Sequence, residues 1–303
     1  MFETVLGLMF KIFFILLLGF FMKRRGVINS NDQKSITTLL MKIVVYFMII
    51  MCSQNEFSLE AAKAIFITAI VAAVMYLIGI PLCMLLAKRL NLPEGKQRIF
   101  VCSAMFCNVT FMGYPICLEL FGNVGLLCAI MFSMVYNILF YTWGIAYISG
   151  GKTNIKAIFT NKIAIASVVT IVMYFLQIRI PEPFAGTFSA IGNMTMPLSM
   201  IIAGCSLADS DLLDILKDKR MYIVTTIRML VCPVAVYTAM RLCGFSGLVL
   251  QGCTIMAALP TGTMTSIVAA ENNNNPDYAV KMMVQTMLAM VVTLPMWVLI
   301  VQG

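Results

Sequence analysis

Two segments of this sequence, 108–115 and 258–263, combine proline, glycine and small polar residues inside otherwise apolar runs. Proline removes an amide donor and clashes with the preceding turn, while glycine tolerates the dihedral angles of unwound backbone. Each segment therefore predicts an interruption in an apolar helix. The residues of interest are Asn108, Thr110, Gly113, Tyr114 and Pro115 in the first segment, and Pro260, Thr261, Gly262 and Thr263 in the second.

An interrupted helix inside a bilayer predicts a particular chemistry. The amino end of a half-helix presents unpaired amides and about half a positive charge, which favours a carboxylate or another anion. The alternative is two ordinary proline kinks, with Asn108 bonded to a neighbouring helix. For an anion site we expect backbone amides near Gly113, Tyr114, Gly262 and Thr263, and side-chain hydrogen bonds from Asn108, Thr110 and Thr261.

Arg228 is a charged residue inside the apolar run 221–243. An unpaired charge within a bilayer costs roughly 3 kcal/mol or more, so an arginine at this place predicts a function, here the attraction of an anion. The alternatives are a structural ion pair with Glu271 or Asp209, or a side chain that extends to the cytoplasmic surface.

Four further polar residues are candidates for roles in transport. Asn137 and Ser53 are expected to line a cavity, or else to bond across helices. Glu119 and Glu271 lie towards the ends of apolar runs and are candidates for proton coupling, because no aspartate falls within the core of a predicted span. No metal, cofactor or catalytic residue is predicted.

The residue types exclude several classes of protein. Histidine is absent, which removes zinc proteases of the HExxH kind and serine proteases that depend on histidine. The ten cysteines form no metal-binding CxxC pairs and are expected to pack as small apolar side chains. The net charge of +8 is spread among short loops, so nucleic acid is not an expected partner. The sequence thus predicts neither an enzyme nor a nucleic-acid-binding protein.

The elements that must position these residues are membrane-spanning helices. Of the 303 residues, 61% are hydrophobic and 11% are charged, and the mean hydropathy is +0.96. Apolar runs of roughly 18 to 25 residues are long enough to cross a bilayer as helix. The sequence predicts an all-α polytopic membrane protein with about ten spans, near 2–22, 35–53, 63–87, 99–121, 124–149, 161–178, 184–207, 221–243, 249–271 and 279–301.

The distribution of basic residues predicts the orientation of these spans. Lysine and arginine are concentrated in alternate loops, for example at 23–25, 88–98 and 217–220, and these loops are expected to be cytoplasmic. Both termini then lie outside. The halves 1–149 and 161–303, joined by a short cytoplasmic linker at 150–160, would be inverted repeats of five helices, with interrupted helices four and nine crossing between them.

At these motifs the sequence resembles the auxin efflux carrier family, which includes bacterial malate-type permeases. The resemblance implies two inverted five-helix repeats like those of bile acid symporters and sodium/proton antiporters, with helices one, two, six and seven as a scaffold. It also implies organic anion transport in a bacterial inner membrane. The matching residues are 108–115 with Leu120-Phe121-Gly122, Met196-Pro197-Leu198-Ser199 with 203–208, and 258–262 with Ala269-Ala270-Glu271 and Asn275-Pro276-Asp277.

The expected function is therefore a permease or efflux carrier for small mono- or dicarboxylates. Uniport driven by the substrate gradient and the membrane potential requires the fewest assumptions. A symporter coupled to H⁺ or Na⁺ and a non-transporting membrane sensor of the same fold are the alternatives. The expected partners are the anion and the lipid bilayer, with a homodimer through the scaffold helices as a further possibility.

Overall fold

The regular structure of the chain is helical. The computed structural model describes residues 2–151, 161–209, 215 and 221–302. Within those ranges every named element is a helix, and strand pairing is limited to one isolated bridge. Most of the predicted linker at 150–160, and all of the basic loop at 217–220, lie outside the described residues.

The first half of the chain contains five helices. A break in helical geometry divides the fifth at Gly122, whose φ of 64° and ψ of −161° suit a residue without a side chain. We call 109–121 its first arm and 123–149 its second arm. The helices are α1 (Phe2–Arg24), α2 (Ser30–Gln54), α3 (Leu59–Arg89), α4 (Glu94–Met105) and α5 (Val109–Ser149).

The second half follows the same order of elements. In the residues of this half that the structure describes, three helices are followed by two short ones and then by a long helix. A turn at Asn193 and Met194 interrupts the second of these six helices. They are α6 (Lys162–Phe175), α7 (Phe184–Ala208), α8 (Met221–Leu242), α9 (Gly247–Ala257), α10 (Thr263–Glu271) and α11 (Pro276–Gln302).

The surface of the described chain is suited to lipid. Helices α2, α3, α5, α7, α8 and α11 are long and apolar enough to cross a membrane. Large apolar side chains are turned outwards along them: Leu77 is 65% exposed and Val292 is 73% exposed. An aqueous surface would not carry so many exposed apolar groups, whereas a bilayer favours them. The chain is therefore a polytopic membrane protein.

Close packing joins α1 to α7. A Cβ atom at Gly204 would lie 2.0 Å from the carbonyl oxygen of Leu16, and one at Gly19 would lie 2.4 Å from that of Ile201. The thiol of Cys205 also donates to the carbonyl of Gly19, at 3.4 Å. Small residues allow membrane helices to approach in this way, so the two helices form one packed unit.

The two interruptions predicted from the sequence are present. The chain leaves helical conformation between α4 and α5, and again between α9 and α10. The first break is at Phe106–Asn108. It lies earlier in the chain than the predicted segment 108–115, since α5 already begins at Val109. The second occupies 258–262, as the position of Pro260 predicts.

Candidate binding site at the crossing of two interrupted helices

The two interruptions touch each other, and we call their meeting point the crossing. Cys107 and Thr261 form an isolated antiparallel bridge. The amide of Asn108 donates to the carbonyl of Pro260 at 2.8 Å, and the amide of Gly262 donates to the carbonyl of Phe106 at 2.9 Å. Backbone groups that lack partners within their own helices thus form hydrogen bonds with each other, as a low-dielectric environment requires.

The crossing depends on a close backbone approach at Gly262. A Cβ atom there would lie 2.8 Å from the carbonyl oxygen of Cys107, so a side chain would force the two segments apart. Thr261 is fully buried and supports the same contact. Its amide donates to Oγ1 of Thr286 at 3.0 Å, and its own hydroxyl donates to the carbonyl of Ser103 at 2.8 Å.

A small polar pocket lies on one side of the crossing, at the amino ends of α5 and α10. Each helix end carries unpaired amides and about half a positive charge. The cavity has a volume of about 30 Å³, room for about two water molecules. Its lining residues include no charged side chain. They are Met41, 107–111, Tyr136, Asn137, Tyr141, Asn161, Ile163 and 262–264.

Asn108 has an unused donor in this pocket. Its side chain is 3% exposed, and within the described part of the chain its Nδ2 atom has no hydrogen-bond partner. A buried amide without a partner is costly unless a ligand or water completes it. Asn137, also buried, lines the same space, and Thr110 and Thr263 are half-buried at its edge. The pocket thus offers donors and a positive field.

Arg228 lies on the opposite side, at the carboxyl ends of α4 and α9. Its side chain is 0% exposed. The carbonyl cluster that it contacts consists of the main-chain oxygens of four residues, and all the hydrogen-bond distances lie between 2.8 and 3.3 Å. Nε donates to Leu259, Nη1 to Ala104 and Met105, and Nη2 to Ala257.

These bonds give Arg228 a different environment from the expected one. The guanidinium contacts backbone carbonyls instead of Glu271 or Asp209, and Asp209 pairs with Lys23 at 3.2 Å. The carboxyl end of a helix carries about half a negative charge, so the arginine balances two such ends together. It is not among the residues that line the polar pocket.

Three predicted site residues lie one turn inside α5. The amide of Gly113, expected to be available to an anion, donates to the carbonyl of Asn108 at 3.1 Å. Gly113 instead provides space, because a Cβ there would lie 2.7 Å from Cδ1 of Leu259. Tyr114 is buried with its hydroxyl bonded to Ser133, and Pro115 is buried beside it. None of the three lines the polar pocket.

Three other predicted residues also do not line the polar pocket. The hydroxyl of Ser53 donates to the carbonyl of Ile50 at 2.7 Å, at the end of α2. Glu119, on the first arm of α5, pairs with Lys11 of α1 at 2.6 Å. Glu271 is exposed at the end of α10.

Sequence reasoning missed several residues of the pocket. Tyr136, Tyr141 and Asn161 line it, yet no break or charge marks them in the sequence. Asn161 caps α6 by accepting from the amides of Ile163 and Ala164. An asparagine before an apolar run is a recognisable helix start, but its position beside the crossing depends on tertiary packing.

A second, larger cavity lies between α3 and α8. Its volume is about 500 Å³, and nearly all of its lining is aliphatic or sulfur-containing, with residues such as Ile70, Val74, Leu82, Val231 and Met240. An anion would lose its hydration there without gaining hydrogen bonds. The polar pocket is therefore the better candidate for a charged solute.

Comparison with known proteins gives a consistent result. A family model described as "Membrane transport protein" matches residues 4–163 and 150–298. An uncharacterized transporter of Methanothermobacter thermautotrophicus is 26% identical over 217 residues, covering 70% of each chain. An uncharacterized transporter of Methanocaldococcus jannaschii is 24% identical over 231 residues, covering 73% of each chain.

Proposed function

Because the chain belongs to the membrane transport protein family, we propose that it is a secondary carrier of small organic anions. The substrates are mono- or dicarboxylates, and they bind in the polar pocket at the amino ends of α5 and α10. Asn108 and Asn137 donate hydrogen bonds to the carboxylate, with Thr110, Thr263 and the backbone near Gly262 completing the site.

One observation supports this proposal above the others. The crossing brings together two carboxyl ends and two amino ends of helices. The two kinds of end differ in whether a charged side chain neutralises them. Arg228 neutralises the carboxyl ends, whereas the lining of the polar pocket includes no carboxylate to neutralise the amino ends. An anionic substrate supplies the missing charge.

The size of the pocket supports a carrier that changes conformation. About 30 Å³ is far below the roughly 300 Å³ or more that ligand sites occupy. The substrate therefore enters only when the crossing moves away from its neighbours, such as Met41 of α2 and Asn161 of α6. The packed pair of α1 and α7 serves as the scaffold for that movement. Two copies of the protein also associate through this scaffold.

The membrane arrangement of the proposal follows the order of the helices. Within the described residues, both halves consist of three helices, an interrupted one and a long one, which supports an arrangement of two inverted five-helix repeats. The protein lies in a bacterial inner membrane with both termini outside. In this orientation the polar pocket is on the cytoplasmic side of the crossing, and the ion pair of Lys11 and Glu119 is on the outer side.

Uniport is the mode of transport that we propose, and proton coupling is the second candidate. The ion pair of Lys11 and Glu119 favours the second, since it puts a titratable carboxylate between α1 and the moving first arm of α5. Glu271 is the other carboxylate available for coupling. A sensor that binds an anion without moving it is the remaining alternative.

Transport by purified protein in liposomes tests the proposal. Liposomes loaded with labelled malate, and then with a panel of mono- and dicarboxylates, should lose label faster than protein-free liposomes. Asn108→Ala and Pro260→Ala should reduce the rate at least tenfold, the first by removing a donor and the second by relaxing the crossing. If no carboxylate of the panel moves, the anion assignment is wrong.

A further inference from the structure

The carbonyl cluster around Arg228 has the composition of a cation site. Main-chain oxygens at the carboxyl ends of two interrupted helices point to one place, and such oxygens bind Na⁺ in transporters with broken helices. The oxygens belong to Ala104, Met105, Ala257 and Leu259, residues that precede the two breaks. Their combined partial charge is negative.

The guanidinium of Arg228 occupies this cluster. Four donor–acceptor contacts of 2.8 to 3.3 Å satisfy Nε, Nη1 and Nη2, and the side chain is fully buried. The arginine is carried by α8, whereas the oxygens come from α4 and α9 and from the residue just before Pro260. A single side chain thus bridges both halves of the crossing.

We infer that Arg228 is a tethered cation that fills a cation site made by the carboxyl ends of α4 and α9. It acts as a positioning residue: it holds these ends together so that the amino ends of α5 and α10 stay aimed at the substrate. The consequence for transport rests on the proposed function, but the occupancy of the cation site does not.

A tethered cation differs in a measurable way from an ordinary structural side chain. If Arg228 only fills volume, a side chain of similar length without charge should replace it. If it fills a cation site, its removal leaves carbonyl oxygens that a free cation of matching shape can bind. Guanidinium ion is that probe, because it has the same planar set of donors as the arginine side chain.

The first experiment measures thermal unfolding of purified protein in detergent with millimolar guanidinium chloride, sodium chloride or choline chloride at equal ionic strength. We expect Arg228→Ala to unfold at a lower temperature than the wild type, and guanidinium to raise that temperature saturably. The wild type and the matched control Arg241→Ala, an exposed arginine on the same helix, should show no such rise. An equal rise in the control, or none in Arg228→Ala, overturns the inference.

A second pair of variants decides the matter if Arg228→Ala does not fold. Arg228→Lys keeps the charge, and Arg228→Met keeps most of the volume without it. The inference requires the lysine variant to be more stable and more active than the methionine variant. Equal behaviour of the two overturns it.

Transport in liposomes provides the last readout. Guanidinium should raise the malate efflux of Arg228→Ala at least tenfold and leave that of the wild type within twofold, in sodium-free buffer. A wild type that moves malate only when sodium is present would contradict a site already filled by arginine. If the wild type moves no carboxylate at all, the proposed function fails, while the unfolding measurements still decide the cation site.

Discussion

Asn108 and Arg228 are both buried at the crossing, but their hydrogen bonding is opposite. Every side-chain nitrogen of Arg228 has a carbonyl partner, whereas the side-chain nitrogen of Asn108, Nδ2, has none in the described chain. A fully bonded buried group stabilises a fold, and an incompletely bonded one predicts a ligand. The asparagine is thus the residue whose substitution should report on the substrate.

Substitutions at Asn108 should reveal the sign of the substrate's charge. Asn108→Ala removes one donor, which costs about 1.5 kcal/mol and weakens binding roughly tenfold. Asn108→Asp removes the donor and adds a repelling carboxylate, so it should bind and transport malate less than the alanine variant does. The measurements are transport rate and the rise of unfolding temperature with malate.

The matched control for this series is Asn123→Asp, at an exposed asparagine beyond the break at Gly122. It should transport at nearly the wild-type rate, because it lies outside the polar pocket. If Asn108→Asp transports better than Asn108→Ala, the site favours cations and the assignment to anions is wrong.

Thr286 should be important because it completes the backbone bonding of the crossing. Its Oγ1 accepts from the amide of Thr261 and donates back to the carbonyls of Met282 and Met283. Thr286→Val preserves the shape but leaves a buried amide without a partner, at a cost of about 1–3 kcal/mol. A lower unfolding temperature and slower transport are expected.

Thr293→Val is the matched substitution on the same helix, α11. The hydroxyl of Thr293 donates to the carbonyl of Ala289 in its own helix and contacts the sulfur of Met229 on α8, which is a weak acceptor. Its loss should therefore change the free energy of unfolding by no more than about 0.5 kcal/mol. Equal effects of the two valine substitutions would mean that the bond to Thr261 contributes nothing specific.

At the scale of helices, the packing of α1 against α7 leaves no space at Gly204. A methyl group there would lie 2.0 Å from a carbonyl oxygen of α1, so Gly204→Ala must separate the two helices. We expect a loss of stability of about 1–3 kcal/mol or more, measured as a lower unfolding temperature. Gly252→Ala, whose methyl group would meet no atom within 4 Å, should leave it unchanged.

The ion pair of Lys11 and Glu119 should affect the rate of conformational exchange. It joins α1 to the first arm of α5 at 2.6 Å, so it must break if that arm moves along the scaffold. We expect Lys11→Met and Glu119→Gln each to change the transport rate several-fold. The double variant Lys11→Glu with Glu119→Lys should return it to within about twofold, because the pair is restored with reversed charges.

The control is Asp209→Asn, which breaks the pair with Lys23 between α1 and α7. Both helices belong to the proposed scaffold, so the transport rate should not change. The same Glu119→Gln variant also tests proton coupling: if it loses uptake driven by a pH gradient but still exchanges malate, Glu119 carries the proton and the uniport proposal fails.

The sequence predicted a helical membrane protein and both interruptions, but not the chemistry on each side of the crossing. Proline and glycine act on the local backbone, so Pro260 and Gly262 located the second break correctly. Gly113 and Tyr114 misplaced the first amino end by one turn, since the extended residues Phe106 and Cys107 have no distinctive local signal.

The partners of Arg228 were beyond prediction for a different reason. They are backbone carbonyls on two other helices, and every residue type has a carbonyl. The sequence showed that a buried charge needed a partner, and it offered Glu271 and Asp209. Only the three-dimensional arrangement of α4, α8 and α9 identifies the carbonyl cluster instead.

At the scale of the whole molecule, the balance of charge determines how transport should respond to voltage. Among the described residues, the lining of the polar pocket includes no carboxylate, lysine or arginine, and Arg228 stays bonded on the other side of the crossing. A uniporter of this kind gains or loses no compensating ion when it moves its substrate, so the full charge of the anion crosses the membrane with each cycle.

Accumulation of malate should therefore follow the membrane potential. A potential of about 30 mV, positive inside and set by valinomycin with a potassium gradient, contributes about 1.4 kcal/mol to a dianion. Liposomes with the wild-type protein should accumulate labelled malate about tenfold, and reversing the potential should expel it to the same extent. Collapse of a pH gradient should not alter the ratio. If the ratio follows pH and ignores voltage, a proton moves with each charge, and a carboxylate such as Glu119 or Glu271 must take part in the cycle.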